Sequence, residues 1–487
     1  LVLLLISFVS LGQKINRKKL VERHIVRINQ VDTLGSLSVG NGHFAFTVDI
    51  TGLQTFPQVY SKGIPLGTQS NRGWHSFPNL QGFQRTETYR NELYAGRPMS
   101  YALQGHKDAR KDAATEYFRQ NPHRIHLGHL GFRIYSKRGK LLPIDSIQHI
   151  RQTLNPYTGE IHSQFQICNE QVDVVTFADT QADGIHVRVR SRLLQTRQLK
   201  FYVDYPFPSE QFLDEGVRYQ NGGHQTTASQ ESNTKVSVTH RLDSLVYRQT
   251  IQSNRAIQIS KSSPHVFEFS AMPTDEITLA SVYDNTEISD FQAARVKNQL
   301  AWLGYWSRGG MIDFGRAMDP RARELERRMI LSMYLTRIQS AGNEPPQETG
   351  LTYNSWYGRP HLEMTWWHLM HFAYWGRGQW MENSLDWYVK NVGEARALAR
   401  RQGLSGARWQ KMTDPSGGES PSSVGSFLLW QQPHLIDMLG LLSKRKSITF
   451  KRKYAYLVEE TALAMQGLLV FDSTKQVYRL GPGFIPA

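Results

Sequence analysis

The 487-residue sequence contains a single cysteine, Cys168, which excludes a disulfide scaffold, a zinc ribbon and an iron–sulfur cluster. It lacks the regular glycine of a collagen and the low apolar fraction of a disordered chain, since 40% of its residues are hydrophobic and 38 are glycine. No apolar run approaches the roughly 20 residues that a membrane-spanning helix requires. Acidic residues are the minority, 42 against 57 Lys and Arg, for a net charge of +15. The length exceeds what one hydrophobic core serves and implies two or three domains.

Nine of the first twelve residues are apolar, ending in Ser10-Leu-Gly12 before Gln13. This is the apolar core of a secretory signal with small residues before the cut, and no cysteine follows to carry a lipid. Residues 1–12 are therefore expected to be a signal remnant and the mature protein to be exported, periplasmic or secreted. The positive charge is scattered along the chain. Runs such as Lys444-Arg445-Lys446 and Lys451-Arg452-Lys453 flank a short segment between helical patterns and read as solvated loops. A nucleic-acid partner is not expected for an exported protein, and the oligomeric state cannot be read from the sequence.

From residue 34 to 283 the pattern is that of strands and turns. Ile185, Val187 and Val189 alternate with His186, Arg188 and Arg190, which predicts aliphatics inward and basic groups in water. Val172, Val174 and Thr176, then Phe267, Phe269 and Ala271, then Ile277 and Leu279, repeat the alternation. Asn155-Pro156, Ala182-Asp183-Gly184 and Asn221-Gly222-Gly223 supply turns, so an antiparallel β-sandwich is expected over 13–285, with a helical or irregular insertion at 104–125. Ser289 and Gln292 suggest a capping box ahead of Val296, Leu300 and Leu303, predicting a linker helix within 286–318. Asp319-Pro320 opens a further helix with a stripe of Leu325, Met329, Ile330, Met333, Tyr334 and Ile338. Helices are also predicted near 362–375, 379–402, 424–443 and 451–467, making 319–487 helical throughout.

The chemistry concentrates where a Gly/Pro-containing loop enters a helix, from Trp356 through His361 and Glu363 to Trp366, Trp367, His368 and His371. Flat aromatic faces beside a carboxylate and imidazoles suit a sugar, which needs stacking for its C–H face and charged acceptors for its hydroxyls. Core packing and sugar stacking both fit Trp367 and Met370, whereas His361 and Glu363 stand at the helix mouth. His368 and His371 lack a carboxylate at the spacing of a zincin, so neither a metal nor another cofactor is expected. No Gly-x-Ser-x-Gly elbow signals a serine triad. A second cluster, Gly406-Ala-Arg408-Trp409 through Asp414 to Glu419, forms a long loop of a kind that is commonly functional. Gln431, Gln432 and His434 form a polar run flanked by leucines and isoleucine, expected to face a cavity. Trp74 and His75 lie in a loop of similar residue types that could reach such a site.

The order of these pieces resembles that of family 65 glycoside hydrolases and phosphorylases. Leu37-Ser-Val-Gly40-Asn41-Gly42 is similar to the opening of that family's β-sandwich, and Thr158-Gly159, Val172–Thr176 and Asp183–Ser191 follow its strand order. Gly350-Leu351 through Gly358 to Glu363 is similar to the entry into its second barrel helix, and Gly406-Ala407-Arg408-Trp409 and Gly418-Glu419 to its later loop motifs. The resemblance, patchy over 34–487, implies a β-sandwich, a helical linker and the first part of an (α/α)6 barrel in 319–487, with a sugar at the helix ends. It departs at His361-Leu-Glu363-Met, where the family has Trp-Asp-Thr-Glu, and after Gly481-Pro482, where the family's Gly-Pro-Asp-Glu would carry the general acid. On this reading the acid lies beyond Ala487 or is absent, the barrel is incomplete and the fragment is expected to be inactive.

The function expected is hydrolysis of an oligo- or polysaccharide by an inverting two-carboxylate mechanism. Glu419 and Glu363 are the catalytic candidates. Trp356, His361, Trp366, Trp367, His368, Arg408, Trp409, Gln431, Gln432, His434, Trp74 and His75 are candidates for substrate binding. The alternatives are a disaccharide phosphorylase and a non-catalytic glycan-binding protein.

Overall fold

The computed structural model describes residues 15–283, 287–444 and 446–480. The predicted signal remnant, Arg445 of the first basic run and the Gly481-Pro482 motif lie outside the described residues.

Nine antiparallel strands form the larger sheet, in the spatial order Val26–Ile28, Gln148–Asn155, Glu160–Ile167, Glu170–Ala178, Gly184–Arg190, Glu276–Val282, Leu245–Ser253, Lys235–Leu242 and Gln225–Ser232. Facing it is a four-stranded sheet of Ile257–Ser263, Val266–Ala271, Leu199–Asp204 and His129–Ile134. The predicted alternation builds the core between them. Val174, Val187, Val189, Ile277 and Leu279 come from the large sheet, and Leu130, Val203 and Phe267 from the small one. Phe132, Phe201 and Phe269 lie abreast across three strands by register, with ring centroids 5.3 and 5.1 Å apart. Each such buried side chain contributes about 1.5–3 kcal/mol relative to exposure.

The outer face of the large sheet is not the solvated surface that its basic residues suggest. His186 is buried, stacks on Phe177 and takes part in a 2.9 Å hydrogen bond to Asp179 Oδ2. Arg188 lies 5.9 Å from the ring of Phe291. The cover is the linker helix, so the alternation gives the pleat correctly but not what packs on its second side.

Seven helices matter for the site: α1 Ala109–Gln120, α2 Phe291–Trp306, α3 Arg321–Gln339, α4 Leu362–Tyr374, α5 Leu385–Arg401, α6 His434–Ser443 and α7 Ile448–Gln466. The N-cap of α2 is Asp290 rather than Ser289; its carboxylate accepts from Gln292 N and Ala293 N. Its expected stripe is also reversed, because Val296, Leu300 and Leu303 are exposed while Trp302, Tyr305 and Trp306 are buried. Trp306 Nε1 donates to Pro156 O at 2.8 Å, Asn298 Nδ2 to Thr158 O at 2.8 Å, and Trp302 stacks on Tyr334 of α3. Gly159 is required at this junction: its φ is +65° and an added Cβ would stand 2.0 Å from Trp302 Nε1.

In α3, Asp319 caps Arg321 N through its side chain, and Ile330, Met333, Tyr334 and Ile338 are buried while Leu325 is exposed. Residues 424–433 form turns where a helix was predicted, so α6 begins only at His434. Nor is the later part of the chain wholly helical, since Leu469–Asp472 pairs with Val477–Leu480 as a hairpin. No helix among the described residues is long and apolar enough to cross a membrane.

The β-part reaches over the helices through an insertion. The hairpin Tyr89–Tyr94 and Arg97–Ala102, followed by α1, covers the 406–426 loop. Arg119 donates to Pro421 O at 3.0 Å, Ser426 Oγ to Ala102 O at 2.6 Å and Tyr94 OH to Leu468 O at 2.9 Å.

Candidate functional site

Two loops meet at the N-terminus of α4. The segment ending at His361 bridges Met412 in antiparallel fashion, and Glu363 N donates to Lys411 O at 3.3 Å. This lays the Lys411 side chain over the first turn of α4. Lys411 Nζ is 2.9 Å from Glu363 Oε2 and 4.5 Å from the centroid of the Trp356 ring. His361 Nε2 stands 3.1 Å from the same carboxylate oxygen, and its Nδ1 is 3.9 Å from Glu348 Oε2. Trp356, Glu363 and Lys411 are half-buried, so this group faces outward from a firm base.

Burial pushes the Glu363 carboxyl up, but hydrogen bonds from His361 and Lys411 and the Lys411 charge outweigh it and hold the group below its ordinary value. Glu363 is therefore ionised through neutral pH, a fixed anionic acceptor beside an indole face. Replacing Lys411 with Met removes one of the two stabilising donors. The acid limb of any ligand binding that needs ionised Glu363 then moves to higher pH. A pH titration of affinity in Lys411→Met checks this, and an unmoved limb would show that Lys411 does not set the charge.

One turn further along α4, Trp366 Nε1 donates to Asp437 Oδ2 at 2.8 Å, and the rings of Trp366 and His434 lie 5.8 Å apart. Trp430 completes the aromatic group at 5.2 Å from His434 and 6.4 Å from Trp367, which is 57% exposed. Lys411, Asp437 and Glu348 belong to this group and escaped sequence reasoning; Trp430 also belongs to it, named in the sequence only as the opening of the polar run that ends at His434. Only the sequence proximity of Lys411 to Arg408-Trp409 pointed toward the first three.

Other predicted residues lie elsewhere or are committed to the backbone. His368 Nε2 bonds Glu348 O at 3.0 Å and His371 Nδ1 bonds His368 O at 3.1 Å. Arg408 is buried and donates to Trp409 O, Leu428 O and Gln432 Oε1. Trp409 is buried with its Nε1 donating to Thr461 Oγ1 at 2.9 Å. Gln432 accepts from Trp409 N at 2.8 Å and donates to Ala407 O at 2.6 Å, and Gln431 donates to Leu428 O at 2.8 Å. These amides staple the 406–409 loop.

Glu419 is paired with Arg401 and accepts from Gln410 Nε2 at 2.7 Å, with 8% of its side chain exposed. Adjacent residues thus serve different carboxylates, Gln410 reaching Glu419 and Lys411 reaching Glu363. Glu363 and Trp356 form one group, Glu419 and Arg408 another. Trp74 lies under Arg124, 4.2 Å from its guanidinium, and its Nε1 donates to Asn71 O. His75 is buried in the sandwich against His123 and Asp243. The loop nevertheless touches the helical part through Asn71 Nδ2, which donates to Asn343 Oδ1 at 3.2 Å. A further carboxyl that the sequence did not single out is Glu344, pushed up to about 7 by burial, with Oε2 buried and unpartnered.

No family model and no curated protein matches the chain. Solved structures do. A structure named as a kojibiose phosphorylase from the human microbiome superposes with a TM-score of 0.61 at 11% identity, covering 94% of this chain and 61% of that one. A bacterial glucoamylase complexed with acarbose gives a TM-score of 0.39 at 11% identity, covering 90% and 61%. A family GH92 inverting mannosidase from Bacteroides thetaiotaomicron gives 0.34 at 10% identity, covering 93% and 68%. The chain spans about three fifths of the length of the first two. The fold is like that of the kojibiose phosphorylase, an antiparallel β-sandwich followed by helices, as the order of the sequence motifs implied.

Proposed function

We propose that the protein is a carbohydrate-active enzyme, a glycoside hydrolase of the inverting two-carboxylate type, which holds a sugar at the N-terminus of α4. The observation that carries this reading is the triad of Glu363, Lys411 and Trp356. It offers an ionised acceptor, a cationic donor and a flat apolar face within one hydrogen-bonded group. A pyranose presents hydroxyls at its edge and C–H bonds on its face, and this arrangement addresses both.

An inverting reaction needs one ionised carboxylate to activate water and one protonated acid about 6.5–9.5 Å away. Glu363 suits the first role, because its neighbours keep it charged. Glu419 suits neither role as it stands, since Arg401 and Gln410 occupy its oxygens. That same observation favours a second reading, a glycan-binding protein without turnover.

The test is a panel of oligosaccharides assayed for release of reducing sugar, with and without inorganic phosphate, alongside calorimetric binding. Turnover without phosphate supports the hydrolase. Strictly phosphate-dependent turnover identifies a phosphorylase, binding without turnover identifies the lectin-like reading, and neither binding nor turnover contradicts the whole proposal.

A further inference from the structure

On the far side of the 410–411 segment from Lys411's carboxylate partner lies a cavity of about 100 Å³, bounded by the insertion hairpin, α5 and the 408–421 loop. About 10–15 Å³ of such space holds one water, so this volume accommodates a molecule of several heavy atoms. Its lining includes Arg85, Arg401, Arg408, Gln410, Thr413 and Glu419.

The charges here do not balance. Arg85 pairs with Asp414 and Arg401 with Glu419, which uses both buried carboxylates. Arg408, 1% exposed, bonds only neutral oxygens and its Nε has no partner. Arg359 stands behind Asp414 and likewise donates only to neutral acceptors, among them Ser420 Oγ at 2.7 Å and Phe118 O at 2.7 Å. Glu394 also lines the cavity, but it is exposed at the rim, where water screens its charge. Arg408 and Arg359 feel the charges of Glu419 and Asp414 but hydrogen-bond to neither, those carboxylates being given to Arg401 and Arg85. Burying guanidinium groups in excess of carboxylates is costly, and a bound anion offsets that cost.

The unpartnered atoms narrow the chemistry further. Arg401 Nη1 and Arg408 Nε are donors and Thr413 Oγ1 can donate, whereas Gln410 Oε1 can only accept, its Nε2 being given to Glu419. Gln410 and Thr413 are 3% and 2% exposed. The set therefore calls for a ligand with several acceptor oxygens and at least one hydroxyl.

We propose that this cavity is a binding site for a small hydroxylated oxyanion, the chemistry shared by hydrogen phosphate and short hydroxy-carboxylates. The site is separate from the sugar group and does not depend on its assignment.

The experiment is calorimetric titration of the full chain with sodium phosphate and, separately, with glycolate, against sodium chloride at matched ionic strength. Saturable binding of one or both, absent with chloride, is expected, and the tighter of the two names the source. Thr413→Val removes one hydrogen bond to a charged ligand and should weaken affinity about tenfold or more. Gln410→Leu serves as the second probe where the first fails to fold. Glu363→Gln should keep the anion affinity unchanged, so failure of the sugar reading leaves this result intact. Absence of binding for both anions, or binding unaltered in Thr413→Val and Gln410→Leu, overturns the proposal.

Discussion

Glu363→Gln is expected to lower kcat/KM on any glycan the protein turns over by roughly 10²–10⁴-fold, the range for loss of a general base. For a glycan that is bound without turnover, affinity should fall by about ten- to a hundredfold, as one charge-assisted hydrogen bond predicts. The amide keeps the shape of the side chain but cannot carry its charge. Lys411 Nζ, 2.9 Å away, and His361 Nε2, 3.1 Å away, then face a neutral oxygen or an N–H. The fold should tolerate the change, because the amide keeps the side chain's size and can still accept from Lys411 and His361, and no apolar packing is lost. Thermal melting and circular dichroism close to wild type, with activity lost, locate the effect in the site. Glu363→Asp should restore part of the loss if charge is what matters, and none if reach is.

The largest stability effect is expected from Arg359→Ala, a loss of about 3–5 kcal/mol measured as a lower urea midpoint. Arg359 is fully buried and joins three parts of the chain. Its guanidinium donates to Phe118 O at 2.7 Å, Pro122 O at 3.1 Å, Ser420 Oγ at 2.7 Å and Asn121 O. Burial pulls its pKa down to about 10, so it stays charged at neutral pH. Truncation leaves several buried acceptors without donors, each costing about 1–3 kcal/mol before water enters. Arg359→Lys should recover little, because an ammonium cannot reproduce the planar fork. Since Arg359 ties the Trp356–Glu363 loop to α1 and to the 406–421 loop, the same variant should weaken ligand binding through disorder of the loop. A variant as stable as wild type would mean that the loop is held by its other contacts.

The contrast between these two residues shows what was legible in the sequence. Glu363 is visible because it stands among indoles and imidazoles, although a carboxylate in the first turn of a helix also has the helix dipole as a structural reason to be there. Arg359 is silent, an arginine between Gly358 and Pro360 whose buried role depends on distant chain segments, Phe118–Pro122 more than two hundred residues away and Ser420 some sixty away. The strand alternation around Val187 and Phe269 gave the sandwich core, because a period of two is a local property. The face of α2 was misread for the opposite reason. Val296, Leu300 and Leu303 make a regular stripe, but Trp302, Tyr305 and Trp306 bury more area and turn that face onto the sheet. Gln431 and Gln432 look the same in sequence whether they bind substrate or staple a loop, and the structure shows them stapling Ala407, Leu428 and Trp409. Lys411 gained its place only when an antiparallel bridge between His361 and Met412 set it over α4.

The most direct measurement is a two-dimensional NMR titration of the indole Nε1–H signals with an oligosaccharide. Trp356 and Trp366 flank Glu363 and should shift progressively with the sugar, while Trp302 and Trp306, buried between the linker helix and the sandwich, should stay fixed. Shifts confined to tryptophans outside the Glu363 group, with Trp356 and Trp366 unmoved at saturation, would contradict a sugar site at the N-terminus of α4.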